Sequence, residues 1–257
     1  MIKLLLLIVC LYVGAVFYLY FTQDSKIFNF SIVKKQKPQV LTICGDCKEI
    51  KLESEEVLLD GVYKESNSSK LIIYFGGNSD DATDFIQYCK DLNGFDIVAF
   101  NYRGNALSSG TPTQKDIFKD ALKIYDVYAK EKEVYVIGRS LGSGVAVYLS
   151  HKRKLKKLLL ITPYDSIEAV AKEKYPYFPI SLLIKHKFNS LYFIKDIKIP
   201  ITVFMVDKDI TVSNKRTSNL ISHIKNLSNV VIFKDTTHID ILDTPQFSEE
   251  LKKWAKQ

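Results

Sequence analysis

With 257 residues, 47% of them hydrophobic and 25% charged, the chain is long and apolar enough to bury one sizeable core, which excludes a disordered polypeptide. Its net charge of +7 is spread along the chain rather than gathered with aromatic residues, so nucleic acid is set aside as a partner. The densest basic run, His151 to Lys157, reads as a solvated connection between a helix and a strand, and four cysteines do not make a disulfide scaffold.

Taken in order, the chain opens with an uninterrupted apolar run from Leu4 to Phe21 behind Lys3, about 18 residues and long enough to cross a bilayer as a helix. Phe17, Tyr18, Tyr20 and Phe21 suit an interfacial belt at its far end. No small residues precede a cut site in Tyr18-Leu-Tyr-Phe-Thr-Gln-Asp24, so residues 1–23 are read as an uncleaved signal anchor and single-pass membrane helix. The short Met1-Ile-Lys3 start places the N-terminus inside, whereas Lys26, Lys34, Lys35 and Lys37 argue for a cytoplasmic following side. The reading leans to an exported domain, partly on Cys44 and Cys47. Residues 24–48 show no clear period and read as a linker or strap, with residues 49–257 as the folded domain. Cys44-Gly-Asp-Cys47 lacks the strand-to-helix setting of a thiol-redox motif and a second pair for zinc; a local disulfide and two free thiols both remain open.

Ile50 to Tyr63 alternates like a hairpin, and Lys70-Leu-Ile-Ile-Tyr-Phe75 reads as a buried strand ending at Gly76-Gly77-Asn78. Helical spacing covers Asp80 to Leu92, a buried strand Gly94 to Phe100, and an amphipathic helix Asp116 to Lys130. Strand Val134 to Ile137 then leads into Gly138-Arg-Ser140-Leu-Gly142 and a helix through Ser150. Further strands are expected at Lys157–Thr162, Pro200–Val206 and Val230–Phe233, with helices at Ser213–Leu227 and Phe247–Trp254. Pro163 to Asp196 breaks the rhythm as a small excursion over the sheet. Strands alternating with helices define an α/β fold, a mostly parallel sheet with helices on both faces, whose sites lie beyond the carboxyl ends of the strands.

Gly-x-Ser-x-Gly between a strand and a helix is the pattern of a nucleophile elbow, a turn tight enough to lift Ser140 off the sheet at a helix N-terminus. A serine hydroxyl needs a base, and His238, after the last strand, is better placed than His151, His186 or His223 in helical or cap-like stretches. Asp209, after the penultimate strand, completes the order Ser, Asp, His, with Asp207 as its near rival. The oxyanion donors expected are the backbone N–H groups of Leu141 and Asn78. No metal or organic cofactor is required by this chemistry.

Tyr74-Phe-Gly-Gly-Asn78, Asn101-Tyr-Arg-Gly104 with Ser109-Gly110, Gly138-Arg-Ser-Leu-Gly142, Lys208-Asp209 and Thr237-His238 together resemble the alpha/beta-hydrolase superfamily. Within it they are most similar to the single-pass membrane group known as serine-aminopeptidase-like. The resemblance spans roughly Leu52 to Trp254, and it implies that Asp209 rather than Asp207 is the acid. Many relatives carry His where Gly76 stands and Asp where Asn101 stands; neither position belongs to the triad. The expected function is that of a membrane-anchored serine hydrolase cleaving an ester, thioester or amide through an acyl-enzyme. Its partners would be a small-molecule or lipid acyl substrate and the membrane, with Tyr175, Tyr177, Phe178 and Leu182 as candidates to line an acyl pocket. The alternative is a non-catalytic membrane scaffold or binding module on the same fold.

Overall fold

The computed structural model describes residues 1–33, 38–42 and 44–256. Lys34, Lys35 and Lys37, used above for orientation, lie outside the described residues, as does Gln257. The strands are β1 (Cys47–Ser54), β2 (Val57–Lys64), β3 (Lys70–Phe75), β4 (Asp96–Phe100), β5 (Glu133–Arg139), β6 (Lys157–Ile161), β7 (Ile201–Lys208) and β8 (Leu227–Thr237). Among the described residues they form one sheet in the order β1-β2-β4-β3-β5-β6-β7-β8. The β1–β2 hairpin and the β2–β4 pair are antiparallel, and every pair from β4 to β8 is parallel. Continuous apolar runs such as Leu71–Phe75 and Leu158–Ile161 form strands buried on both faces, as a covered parallel sheet requires.

The helices are α1 (Ile2–Ile27), α2 (Gln114–Tyr128), α3 (Leu141–Lys152), α4 (Ile167–Lys174), α5 (Ile180–Leu183), α6 (Ser190–Ile194), α7 (Asn214–Ile221) and α8 (Pro245–Lys256). One face of the sheet packs Ile117, Phe118, Val145 and Leu149 from α2 and α3, and the other packs Phe85, Ile86, Phe247 and Trp254. The Asp80–Leu92 stretch, expected as a helix, is a 3-10 helix over Ala82–Cys89. Side chains take its first amides: Ala82 N–H donates to Asn101 Oδ1 and Thr83 N–H to Asp81 Oδ1. The helix expected over Ser213–Leu227 ends at Ile221, because Leu227 already pairs with β7 as the start of β8.

The N-terminal helix runs four residues past the boundary at 23, and the stretch read as a linker packs on the domain: Phe28 and Phe30 enter one core and Val40 the other. Cys44 and Cys47 form a disulfide, which resolves the alternative left open above. The excursion from Pro163 to Asp196 folds as α4, α5 and α6 over the carboxyl end of the sheet. Tyr175 lines the cavities beneath it, whereas Tyr177 and Leu182 are each 85% exposed and Phe178 stacks on Tyr12 of α1. Of the four residues expected to line an acyl pocket, Tyr175 is the one that does so in the cavities described below.

Two features of this framework have measurable consequences. A Cβ added at Gly142 would overlap the Phe75 carbonyl oxygen and come within 2.6 Å of the Gly76 oxygen. Gly142→Ala is therefore expected to cost about 3 kcal/mol, measured by denaturant unfolding. Asp60 on β2 is buried, and neither carboxylate oxygen has a hydrogen-bond partner among the described residues. Burial, then the charges of Glu49 and Asp81, push its pKa from 3.8 up to about 6. A carboxyl raised in the folded state stabilises the fold at low pH, and that stability is lost as pH rises from about 4 through about 6. Asp60→Asn should thus raise Tm by about 2–5 °C at pH 8 and lose this advantage near pH 4, read by thermal melts across the range.

Candidate active site

The elbow is built where β5 ends. Ser140 takes φ +48° and ψ −116°, a left-handed backbone that an L-residue adopts only under constraint. Its N–H donates to Ile161 O at 2.9 Å, and its carbonyl receives both the Ser143 N–H and the Ser143 hydroxyl. Gly138 and Gly142 permit this turn, since a Cβ at either would meet the backbone or side chains of the opposing segment. Tyr164, buried under the cap, donates its hydroxyl to Leu141 O at 3.0 Å and fixes the first turn of α3.

The Ser140 hydroxyl lies 2.8 Å from His238 Nε2, and His238 Nδ1 lies 2.7 Å from Asp209 Oδ2. The carboxylate accepts, so Nδ1 carries the proton and Nε2 is the acceptor for the serine O–H. Asp209 Oδ1 meanwhile accepts from the N–H groups of Thr211 and Val212, at 2.9 and 2.7 Å. One carboxylate thus braces its own turn with one oxygen and the imidazole with the other. Both side chains of this pair are nearly sealed from solvent, at 8% and 2% exposure, which strengthens a charged hydrogen bond. The rival Asp207 is turned elsewhere: it accepts from the N–H groups of Asp235 and Thr236 and holds the irregular end of β8. Likewise His151 faces Asp196, His186 accepts from Gln114 N–H beside Asp24, and His223 meets Asn219 O.

Arg139, the variable residue inside the elbow motif, is a part of the site that the sequence did not disclose. Its Nη1 binds both oxygens of Asp80 at 2.9 Å, and its Nη2 donates to the carbonyls of His238 and Ile239 at 3.2 and 3.0 Å. Burial disfavours the guanidinium charge, but the Asp80 carboxylate, with Tyr74 and Tyr88 nearby, offsets this and holds the arginine above its ordinary range. Asp80 also accepts from Gly77 N–H, and Tyr102 donates to Gly76 O. The turn after β3, the elbow and the histidine loop are therefore fastened to one ion pair. Acidic residues near the start of a helical stretch were visible in the sequence; their partner was not.

Asn78 and Leu141, the expected oxyanion donors, line with Ser140 a cavity of about 420 Å³. Its other walls are Ile167, Val170, Ala171 and Tyr175 of the cap and Lys26 and Ile27 of α1. A second hollow of about 370 Å³ reaches Ser140 and His238 from the side of Gly77 and Arg139. A larger hollow of about 720 Å³ lies around Cys44, Lys64 and Asn93, away from Ser140, and is polar. Among the described residues no group of His, Cys, Asp and Glu is arranged to hold a metal ion.

No family model matches the chain. Bovine lysophosphatidylserine lipase ABHD12 is 33% identical over 132 residues, which are 44% of this chain and 33% of that protein. The chain therefore spans about a third of the length of that relative. The Acanthamoeba polyphaga mimivirus protein L404, an alpha/beta hydrolase by name, is 27% identical over 186 residues, 68% of each chain. Among solved structures, the Pyrococcus furiosus esterase Pf2001 superposes with a TM-score of 0.67 at 20% identity, over 87% of this chain and 96% of its own. That likeness establishes the fold. The chain thus has the alpha/beta-hydrolase fold, and its sequence is similar to that of proteins named as a lipase and as an alpha/beta hydrolase.

Proposed function

We propose that the chain is a membrane-anchored serine hydrolase that cleaves an acyl ester, thioester or amide through an acyl-enzyme. The observation that carries this reading is the hydrogen-bonded series Ser140, His238, Asp209 at a strained elbow beneath an apolar cap. Ser140 Oγ attacks the acyl carbonyl carbon while its proton passes to His238 Nε2. Asp209 keeps the imidazole in the accepting tautomer and stabilises the imidazolium. The backbone N–H groups of Leu141 and Asn78 receive the oxyanion. Collapse of the tetrahedral intermediate expels the alcohol, thiol or amine, which takes the proton from His238. Water then attacks the acyl-serine by the same route and releases the acid.

An acyl substrate of lipid type is favoured by the apolar walls of the cavity at Ser140, with Lys26 and Lys174 at its margin for an anionic headgroup. A relative named as a lysophosphatidylserine lipase and a structural neighbour named as an esterase support the same class. Membrane anchoring is supported by α1, 26 residues with mean hydropathy 2.5 in its most apolar window and none of that window buried. We place the domain on the exported side, because the Cys44–Cys47 disulfide suits an oxidising compartment. Protease added to intact spheroplasts expressing the chain should then digest the domain, and protection would reverse the orientation.

Activity-based labelling tests the chemistry directly. The wild type should react with a fluorophosphonate probe, and Ser140→Ala should abolish labelling. Ester turnover should fall by about 10⁴-fold or more in Ser140→Ala and His238→Ala and by about 10³–10⁴-fold in Asp209→Asn. A folded wild type that neither labels nor turns over esters would leave the scaffold reading in place. Arg139→Lys keeps the charge but not the fork that spans Asp80 and two carbonyls. It should lower kcat about tenfold with KM little changed, a split that steady-state kinetics resolves.

A further inference from the structure

The cap carries an uncharged segment, Tyr175-Pro-Tyr-Phe-Pro-Ile-Ser-Leu-Leu-Ile184, between Lys172-Glu-Lys174 and Lys185-His-Lys187. This segment runs along the C-terminal half of α1 rather than over the domain alone. At its base, Lys185 N–H donates to Gln23 Oε1 at 2.8 Å, Gln23 Nε2 donates to Leu183 O, and the Lys185 ammonium lies over the Tyr20 ring and beside Asp24. At its tip, the Tyr12 hydroxyl donates to Tyr177 O at 2.9 Å and the Tyr12 ring stacks on Phe178. From Phe21, the end of the apolar run, to Tyr12 the helix rises roughly 14 Å, close to the thickness of one hydrocarbon leaflet.

Six of the segment's eight backbone N–H groups are paired within the cap, which lowers the cost of such a depth. The N–H groups of Tyr175, Phe178, Ile180, Leu182, Leu183 and Ile184 donate to carbonyls of the cap, and Pro176 and Pro179 have none to donate. Its outward side chains, Tyr177 and Leu182, are each 85% exposed to the surroundings, an unfavourable arrangement in water. Charged residues stand at both ends, where long lysine side chains reach the headgroups. Between α1 and the segment lies an apolar cavity of about 70 Å³, walled by Leu19 and Ile27 on one side and by Ile180 and Leu183 on the other. It shares Lys26, Ile27, Ile167, Ala171 and Tyr175 with the cavity at Ser140.

We propose that the Tyr175–Ile184 segment is embedded in the leaflet beside the C-terminal half of α1, and that a lipid acyl chain reaches Ser140 from that leaflet between the two. The proposal rests on the serine-hydrolase and membrane-spanning readings given above. It makes α1 a wall of the substrate path as well as a tether.

The test uses the full chain in phosphatidylcholine vesicles. In a Cys10→Ser background Cys44 and Cys47 are bonded to each other and Cys89 is buried, so a single introduced cysteine can carry an environment-sensitive fluorophore. Labels at Leu182→Cys, Val13→Cys and the exposed Lys225→Cys are compared for quenching by lipids bearing a nitroxide on the acyl chain. Quenching at position 182 at least half as strong as at 13, with none at 225, is the expected result. Position 182 behaving like 225 overturns the insertion, and an unquenched label at 13 overturns the membrane-spanning reading beneath it. In parallel, Leu182→Asp should lower hydrolysis of a long-chain ester held in the vesicles at least tenfold and leave a water-soluble short-chain ester within twofold. Loss of neither activity, or of both alike, overturns the leaflet route. A wild type inert toward both esters overturns the hydrolase reading and the route with it, while the quenching still decides the depth of the cap.

Discussion

The backbone of Ser140, at φ +48° and ψ −116°, costs an L-residue roughly 1–3 kcal/mol, and the site exists because the surrounding packing holds it there. Gly138 lets β5 approach α3, and Gly142 lets α3 approach the end of β3, until no side chain fits between them, while Ile161 and Ser143 take up the polar groups of the turn. Relaxing the serine would separate α3 from the end of β3 and break both arrangements together. The strain is thereby carried by the sheet as a whole. It buys a hydroxyl placed above the strand ends at the start of a twelve-residue helix whose N-terminal dipole favours negative charge.

A second constraint fixes what surrounds that hydroxyl. The Asp80–Arg139 pair joins the turn after β3 to the loop that carries His238. Arg139 is the last residue of β5 and directly precedes Ser140, so it ties the elbow to the imidazole loop and to the turn after β3. Asp209 acts in the same manner on the other side, bracing its turn with one oxygen and His238 with the other. The histidine is held from two directions by groups whose charges have been taken out of water. A buried pair of this kind adds little net stability but is expensive to break, and here the expense falls on misplacement of His238.

Much of this was legible because it depends on local pattern. Runs such as Leu71–Phe75 and Leu158–Ile161 announce buried strands, and the Gly-x-Ser-x-Gly turn announces the elbow. Ser140, Asp209 and His238 lie just past the ends of β5, β7 and β8, and the fold brings these ends to the same edge of the sheet, with β6 between the first two. What escaped depends on partners distant in sequence. Arg139 occupies a position at which the motif demands nothing, so its bonds to Asp80 and to residues 238–239 leave no trace in spacing. The start of the 3-10 helix Ala82–Cys89 is capped by Asn101, nineteen residues beyond the Ala82 amide. Tyr177 and Leu182 look like pocket residues by type, because composition does not tell whether protein or lipid is to cover an apolar side chain.

Phe28 and Phe30 enter the core within a few residues of the last turn of α1. If α1 spans a bilayer as proposed, the domain hangs from it without a slack stretch of chain on which to swing. On the proposed reading of a tethered enzyme, this would remove tumbling from the encounter: the mouth of the site would keep one attitude and one height relative to the bilayer. Molecules dissolved in the leaflet then arrive by lateral diffusion in two dimensions, already oriented by their own amphiphilicity. Molecules in bulk water must find a mouth that does not turn to meet them, so selectivity arises partly from how the protein is mounted.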